Sequence, residues 1–274
     1  MMSYKFNYFE IELHNHVASV FISRDQKSNA LHEEAWEELR NIMNQASEDS
    51  KVRVVVLAGR GKHFSAGMDL ETLMSLPSQW SDACEARKRR GVKSFIKKIQ
   101  GCISSVESCR KPVIASVHGA CIGGALSLVT ACDFIYASRS AKFSLREAAL
   151  GIVPDIGALQ RMPLKAHFGR VAELAYTAAN FDADEAMSMG MLNRVFENDD
   201  LLQSGSLDVA ERIAGMSPLV IEGIKENLKY ARSHNLEDSL DYVSVWNSAY
   251  LISDDLGKAM QAYVSKNKAE FRDL

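Results

Sequence analysis

Apolar positions along the chain change their period several times, and each change marks an element. Phe9, Ile11 and Leu13 alternate with polar residues, and a β-rich run over 17–22 follows a turn at His14, Asn15 and His16, so two strands are expected. Leu31, Ala35, Leu39, Ile42, Met43 and Ala46 then recur at helical spacing, predicting a helix over 31–47 that starts at Ser28 and Asn29. Residues 52–58 are almost purely apolar, as in a strand covered on both faces, and the run stops at Gly59-Arg60-Gly61. The unit recurs: a strand over 113–117, a glycine-rich turn over 119–124, a helix over 125–131 and short strands over 134–137 and 142–144. Repeated strand, strand and helix units predict an α/β fold with stacked sheets. From residue 165 helical spacing dominates, with helices expected over 170–179, 182–190, 207–216, 218–234 and 236–266. Charged and small residues cluster at 199–206, which sets an expected boundary between a core, 1–200, and a helical C-terminal region, 201–274.

Composition narrows the function classes. A chain of 274 residues with 47% hydrophobic content can bury a full core. A net charge of -3 and a pI near 6.2 give no global attraction to nucleic acid or to an anionic membrane. Residues 112–132 carry no charge over about the length a bilayer requires. Pro112, His118, Gly119, Gly123 and Gly124 break that run, so no membrane span is expected. Five cysteines, odd in number and without paired C-x-x-C spacing, predict free thiols in a reducing compartment, the cytoplasm, and no metal site. Residues 1–12 lack the apolar run of a secretory leader, and 271–274 are not a peroxisomal tripeptide.

Three stretches carry candidate chemistry. Phe64-Ser65-Ala66-Gly67-Met68-Asp69-Leu70 follows a buried strand, and its small residues allow close backbone approach to a ligand; the alternative is an ordinary turn with Asp69 as helix cap. His118 to Ala125, with Gly123 and Gly124, is a second such turn, read either as N–H donors or as tight helix packing. Two turns after two parallel strands can converge and give two N–H donors for one carbonyl oxygen. In the third, Glu147 and Asp155 lie among apolar residues, where desolvation raises a carboxyl pKa toward neutrality. Glu147 could instead pair with Arg146 or Arg161, and Asp155 could cap a helix. Arg87-Lys88-Arg89-Arg90 reads as a solvated face or an anion contact, and His63 and His118 as hydrogen-bonded spacers or bases. No Ser or Cys nucleophile stands beside an identifiable base.

Taken together, Ser28-Asn29-Ala30-Leu31, the 65–69 loop, Lys111-Pro112-Val113-Ile114-Ala115, the 118–124 turn, Ala131-Cys132-Asp133 and Leu159-Gln160-Arg161 resemble the crotonase superfamily, the enoyl-CoA hydratases and isomerases, over about 6–268. Within it the chain looks most like the dienoyl-CoA isomerases. The pointers are Cys121-Ile122-Gly123-Gly124, Asp155-Ile156-Gly157, the 159–163 run, and Ser239-Leu240-Asp241-Tyr242-Val243 with Trp246-Asn247.

The resemblance implies a spiral of ββα units, a C-terminal helical trimerisation region, and a homotrimer or homohexamer. It implies an acyl-CoA substrate, with no cofactor beyond the substrate's own CoA. Ala66 and Gly124 match the oxyanion-hole donors, Glu147 and Asp155 the acid/base pair that moves double bonds from 3,5 to 2,4. Ala66, Met68, Asp69, Leu70, Gly123, Gly124 and Ser127 match substrate-binding positions. Ser127 departs from the pattern, since a carboxylate is usual there, and the departure weakens a hydratase reading most. Enoyl-CoA hydration, 3-enoyl to 2-enoyl isomerisation and non-catalytic acyl-CoA binding are the other readings.

Overall fold

The computed structural model describes residues 6–273; residues 1–5 and 274, which enter the expectations about a leader and a C-terminal tripeptide, lie outside the described residues. Strand β1 (Phe9–His14) returns as β2 (Val17–Ile22) through Asn15 and His16, both at positive φ. Helix α1 (Glu33–Glu48) begins later than its periodicity suggests, capped by His32, whose Nδ1 accepts from the Ala35 N–H at 3.2 Å. Ser28 and Asn29 do not cap it. Asn29 is buried and donates from Nδ2 to the carbonyls of Arg60 at 2.9 Å and His63 at 2.7 Å, tying this segment to the loop after β3 (Val54–Gly59).

Two helices follow, α2 (Leu70–Gln79) and α3 (Glu85–Ser108), then β4 (Val113–Val117), β5 (Ala120–Ile122), α4 (Gly124–Thr130), β6 (Phe134–Ser138) and β7 (Lys142–Ser144). The expected charge-free run thus breaks into strand, strand and helix. The remainder comprises α5 (Ala158–Arg161), α6 (Phe168–Thr177), β8 (Asn180–Asp182), α7 (Ala183–Ser188), β9 (Arg194–Phe196), α8 (Asp199–Ala214), α9 (Pro218–Ala231), α10 (Leu236–Tyr250) and α11 (Asp254–Ser265). No helix among the described residues is long and apolar enough to cross a membrane.

One sheet runs β1-β2-β3-β4-β6-β9, parallel from β2 onward, and a second runs β5-β7-β8. Strands β2 and β4 are wholly buried and β3 nearly so, because both faces are covered. Trp36, Leu39, Ile42, Ile99 and Ile103 of α1 and α3 pack on one face. Leu202, Ala210 and Ala214 of α8 pack on Val17, Val54, Val56 and Ile114 on the other. Each buried Val, Leu or Ile among them contributes about 1.5–3 kcal/mol on burial. Residues 199–206, read from composition as a joint, form the first half of α8. The helix expected over 236–266 is two helices, with Ser253 capping α11 through the Leu256 N–H. Helix α10 buries no residue, and an open apolar cavity of about 600 Å³ lies between it and α9.

Candidate active site

The segment after β3 is stitched to the segment after β4. Phe64 N donates to His118 O at 2.8 Å, Ser65 N to Ala120 O at 2.9 Å, and Ile122 N to Ser65 O at 3.2 Å. The glycines make this approach work: Gly67 sits at φ +89°, and a Cβ there would lie 2.2 Å from Ile122 O and 3.0 Å from Gly124 N. A Cβ on Gly124 would meet Met68 N at 3.3 Å, so the two turns expected to converge do so.

Which N–H groups remain for a ligand follows from counting partners. Ala66 N donates to Ser28 O at 2.9 Å, Gly67 N to Ser65 Oγ at 3.0 Å, and Asp69 N to Leu31 O at 3.0 Å, while Leu31 N donates to Gly67 O at 2.8 Å. This parallel bridge between Leu31 and Met68 turns the Met68 N–H the other way. Met68 N and Gly124 N have no acceptor among the described residues, whereas Gly123 N is taken by Ser144 O at 2.8 Å. The assignment of an oxyanion donor to Ala66 is therefore corrected: its N–H is already committed, whereas that of Met68, next to Gly124 in space, is free.

Glu147 sits in a 3-10 turn, Arg146–Leu150, closed by Gly151 at φ +73°. Its carboxylate faces the second turn, since a Cβ on Gly123 would lie 3.5 Å from Glu147 Oε1, and Oε2 has no hydrogen-bond partner among the described residues. Burial pushes its pKa up, and the charge of Asp155 adds to the rise. Asp155 follows the buried Pro154 and opens onto the same cavity; desolvation raises its carboxyl too. Neither carboxylate has an ion-pair partner among the described residues. Arg161 pairs instead with Glu107 at 3.0 Å, and α5 is led by Gly157 without a side-chain cap, so the two structural alternatives for Glu147 and Asp155 do not hold.

Ala66, Met68, Asp69, Leu70, Gly123 and Gly124 line one cavity of about 700 Å³ together with Glu147 and Asp155. Ser127 does not. It is fully buried inside α4 with an unpartnered hydroxyl, because it lies one turn beyond Gly124 on the core side, and its substrate-binding assignment is corrected. Asp69 has a structural task as well: burial pushes its carboxyl up, but Arg24 at 2.5 Å and the Glu71 N–H at 2.9 Å more than offset this and hold it low. His63 Nδ1 accepts from Ala120 N at 3.1 Å, and His118 Nε2 meets Gly61 O at 2.9 Å, so both are spacers outside the cavity. Arg87, Arg89 and Arg90 are exposed on α3. The apolar wall from Leu73, Leu76, Val92, Phe95 and Ile96 was not foreseen. Its signal was the helical spacing of 92, 95, 96, 99 and 103.

A sequence model of the family described as enoyl-CoA hydratase/isomerase matches residues 12–274. The chain is similar to a peroxisomal delta(3,5)-delta(2,4)-dienoyl-CoA isomerase of Arabidopsis thaliana, at 42% identity over 100% of this chain and 99% of that one. It is also similar to the mitochondrial delta(3,5)-delta(2,4)-dienoyl-CoA isomerase of Homo sapiens, at 39% identity over 92% of this chain and 77% of the other. Among solved structures, an enoyl-CoA hydratase from Bacillus anthracis superposes with a TM-score of 0.88 at 29% identity, covering 97% of this chain and 99% of that chain.

Proposed function

Because the chain belongs to the enoyl-CoA hydratase/isomerase family, we propose that it moves the double bonds of a 3,5-dienoyl-CoA to the 2,4 positions, as the names of its relatives describe for those proteins. The observation that carries this reading is that buried Glu147 and exposed Asp155, neither ion-paired among the described residues, line one cavity with two residues, Met68 and Gly124, whose N–H groups are uncommitted.

The thioester oxygen lies between Met68 N and Gly124 N, where charge developing on it is stabilised by donors that need no reorganisation. Carbon 2 becomes acidic, and ionised Glu147 takes its proton to give a conjugated trienolate. Protonated Asp155 delivers a proton to carbon 6, and the electron pairs settle as 2,3 and 4,5 double bonds. One carboxylate cannot serve both ends of a system four bonds long, so the reaction calls for two. Both carboxyls are pushed up from their ordinary values by desolvation, which makes each a better partner for proton exchange with carbon. After each turnover Glu147 carries the proton and Asp155 lacks one, and exchange with water resets the pair.

Hydration needs a water held by carboxylates, and the position where a further one is usual is Ser127, buried outside the cavity. Incubation of the purified protein with 3,5-octadienoyl-CoA should generate 2,4-dienoyl absorbance. Turnover of 2-enoyl-CoA with no dienoyl product would overturn the proposal.

We also propose that α9, α10 and α11 pack against other copies in a trimer or a pair of trimers, supported by exposed Leu228, Leu240 and Leu256 on those helices. Light scattering should give three or six times the 30.4 kDa chain; a monomer would refute it. The five free thiols suit a reducing compartment, and the relatives carry peroxisomal and mitochondrial names. A cytoplasmic location therefore stands as a proposal for fractionation to test.

A further inference from the structure

Among the described residues the Asp155 carboxyl has no side-chain partner, so it is aimed by what holds the backbone of residues 151–157. That backbone turns at Gly151 and Gly157, at φ +73° and +115°, and exposes Ile152 and Val153 between them. Its N-terminal end is bonded to the Glu147 turn, and its C-terminal half is tied to α3. Gln100 Nε2 donates to the Asp155 carbonyl at 2.6 Å, and because a carbonyl only accepts, the amide nitrogen must be the atom facing it. Arg161 lies against Gly157, where a Cβ would be 2.0 Å from Nη1. Arg161 is itself held by Glu107 at 3.0 Å and Ser104 at 2.9 Å. Gln100, Ser104 and Glu107 stand four and three residues apart, on one face of α3. Glu147 receives nothing from that face; the 3-10 turn and the Ile152 N–H to Glu147 O bond at 3.1 Å set its position.

Glu147 thus meets this loop only at Gly151 and Ile152, whereas Asp155 is bonded at its own carbonyl by Gln100 of α3. We propose that Gln100 is a positioning residue for the far end of the reaction: it fixes Asp155 at carbon 6 and has no part in proton removal at carbon 2. This rests on the isomerase reading above. Misplacement of a reacting group by about 1 Å costs on the order of 100-fold.

The test separates the two proton transfers. In deuterium oxide, return of a deuteron by Glu147 labels carbon 2 of recovered substrate, whereas delivery at carbon 6 forms product. Gln100→Met keeps the length and removes the donor. Its isomerisation kcat is expected to fall about 10 to 100-fold while carbon 2 exchange stays within about threefold, raising the exchange-to-isomerisation ratio at least about threefold. Gln100→Asn, which retains a neutral amide N–H donor one methylene shorter, is expected to recover part of the loss. Far-UV circular dichroism confirms that both variants fold. Exchange and isomerisation falling together, or neither falling, overturns the role of Gln100. Native protein that forms no 2,4-dienoyl product overturns the isomerase reading and this inference with it. Native turnover with an unchanged ratio in Gln100→Met overturns the inference alone.

Discussion

Gly67→Ala tests the paired donors most directly. Gly67 lies at φ +89°, a conformation that costs an L-residue about 1–2 kcal/mol. The new Cβ would stand 2.2 Å from Ile122 O, whereas real Cβ contacts do not fall under 3.0 Å, so the loops must part by roughly 0.8 Å. The next neighbour is Gly124 N at 3.0 Å, which places the displacement on the turn that carries one donor. Lengthening a 2.9 Å hydrogen bond by that amount takes it beyond about 3.5 Å, where it ceases to count. Loss of one donor costs about 100 to 1000-fold in kcat. The strain lowers Tm by about 2–8 °C for a chain of this size. Gly190→Ala is the control, because it has nearly the same φ, +87°, and a single contact at 3.2 Å from Lys165 O, away from the cavity. The assay is steady-state 2,4-dienoyl formation with thermal melts of both variants. Comparable melting losses with kcat falling only in Gly67→Ala support the donor pair; Gly67→Ala within threefold of native would refute it.

Glu147→Gln should lower kcat by about 100 to 10,000-fold and yet stabilise the fold at neutral pH. The folded-state pKa of Glu147 is raised above its ordinary 4.5, so the folded chain binds more protons between those values and native stability falls as pH rises through that window. Melts at pH 4 and pH 7.5 should show the variant's advantage only at the higher pH; an equal advantage at both would contradict the linkage. Glu107 behaves in the opposite sense. Burial pushes its carboxyl up, but Arg161 and Arg232 more than offset this and hold it low, so its stabilisation is complete above its ordinary 4.5 and is lost as pH falls through the lowered value. Glu107→Gln should cost about 1.5–3 kcal/mol at neutral pH in denaturant titrations, shrinking in acid; a constant cost across pH would refute the pairing.

Much of this architecture is legible from period alone, and the departures have physical causes. The strand over 113–117 occupies those very residues, because an apolar run buried on both faces leaves little choice of bounds. Strands β5, β8 and β9 have three residues each, too few for a period to form; β5 lay inside a stretch read as a glycine turn. Asn29 looked like a helix cap because Asn favours caps, but its amide is spent on two carbonyls of another loop. The same limit applies at the site. Sequence showed that Ala66-Gly67-Met68 could expose an N–H, while the choice of Met68 depends on Ser28 and Leu31, which lie far off along the chain. The desolvation of Glu147 and Asp155 was readable from their apolar neighbours. That neither forms an ion pair among the described residues was not, since the diversion of Arg161 to Glu107 depends on the fold.

Helix α10 buries none of its fifteen residues against its own chain, and α11 buries only Asp255, which accepts from Ser217 Oγ at 2.5 Å. With so little apolar surface removed from water, the free energy needed to open these helices within a single chain is small compared with that of unfolding the sheets. Amide protons of residues 236–265 in an isolated protomer therefore exchange with solvent through local fraying. Those of β2, β3 and β4 exchange only when the whole chain unfolds.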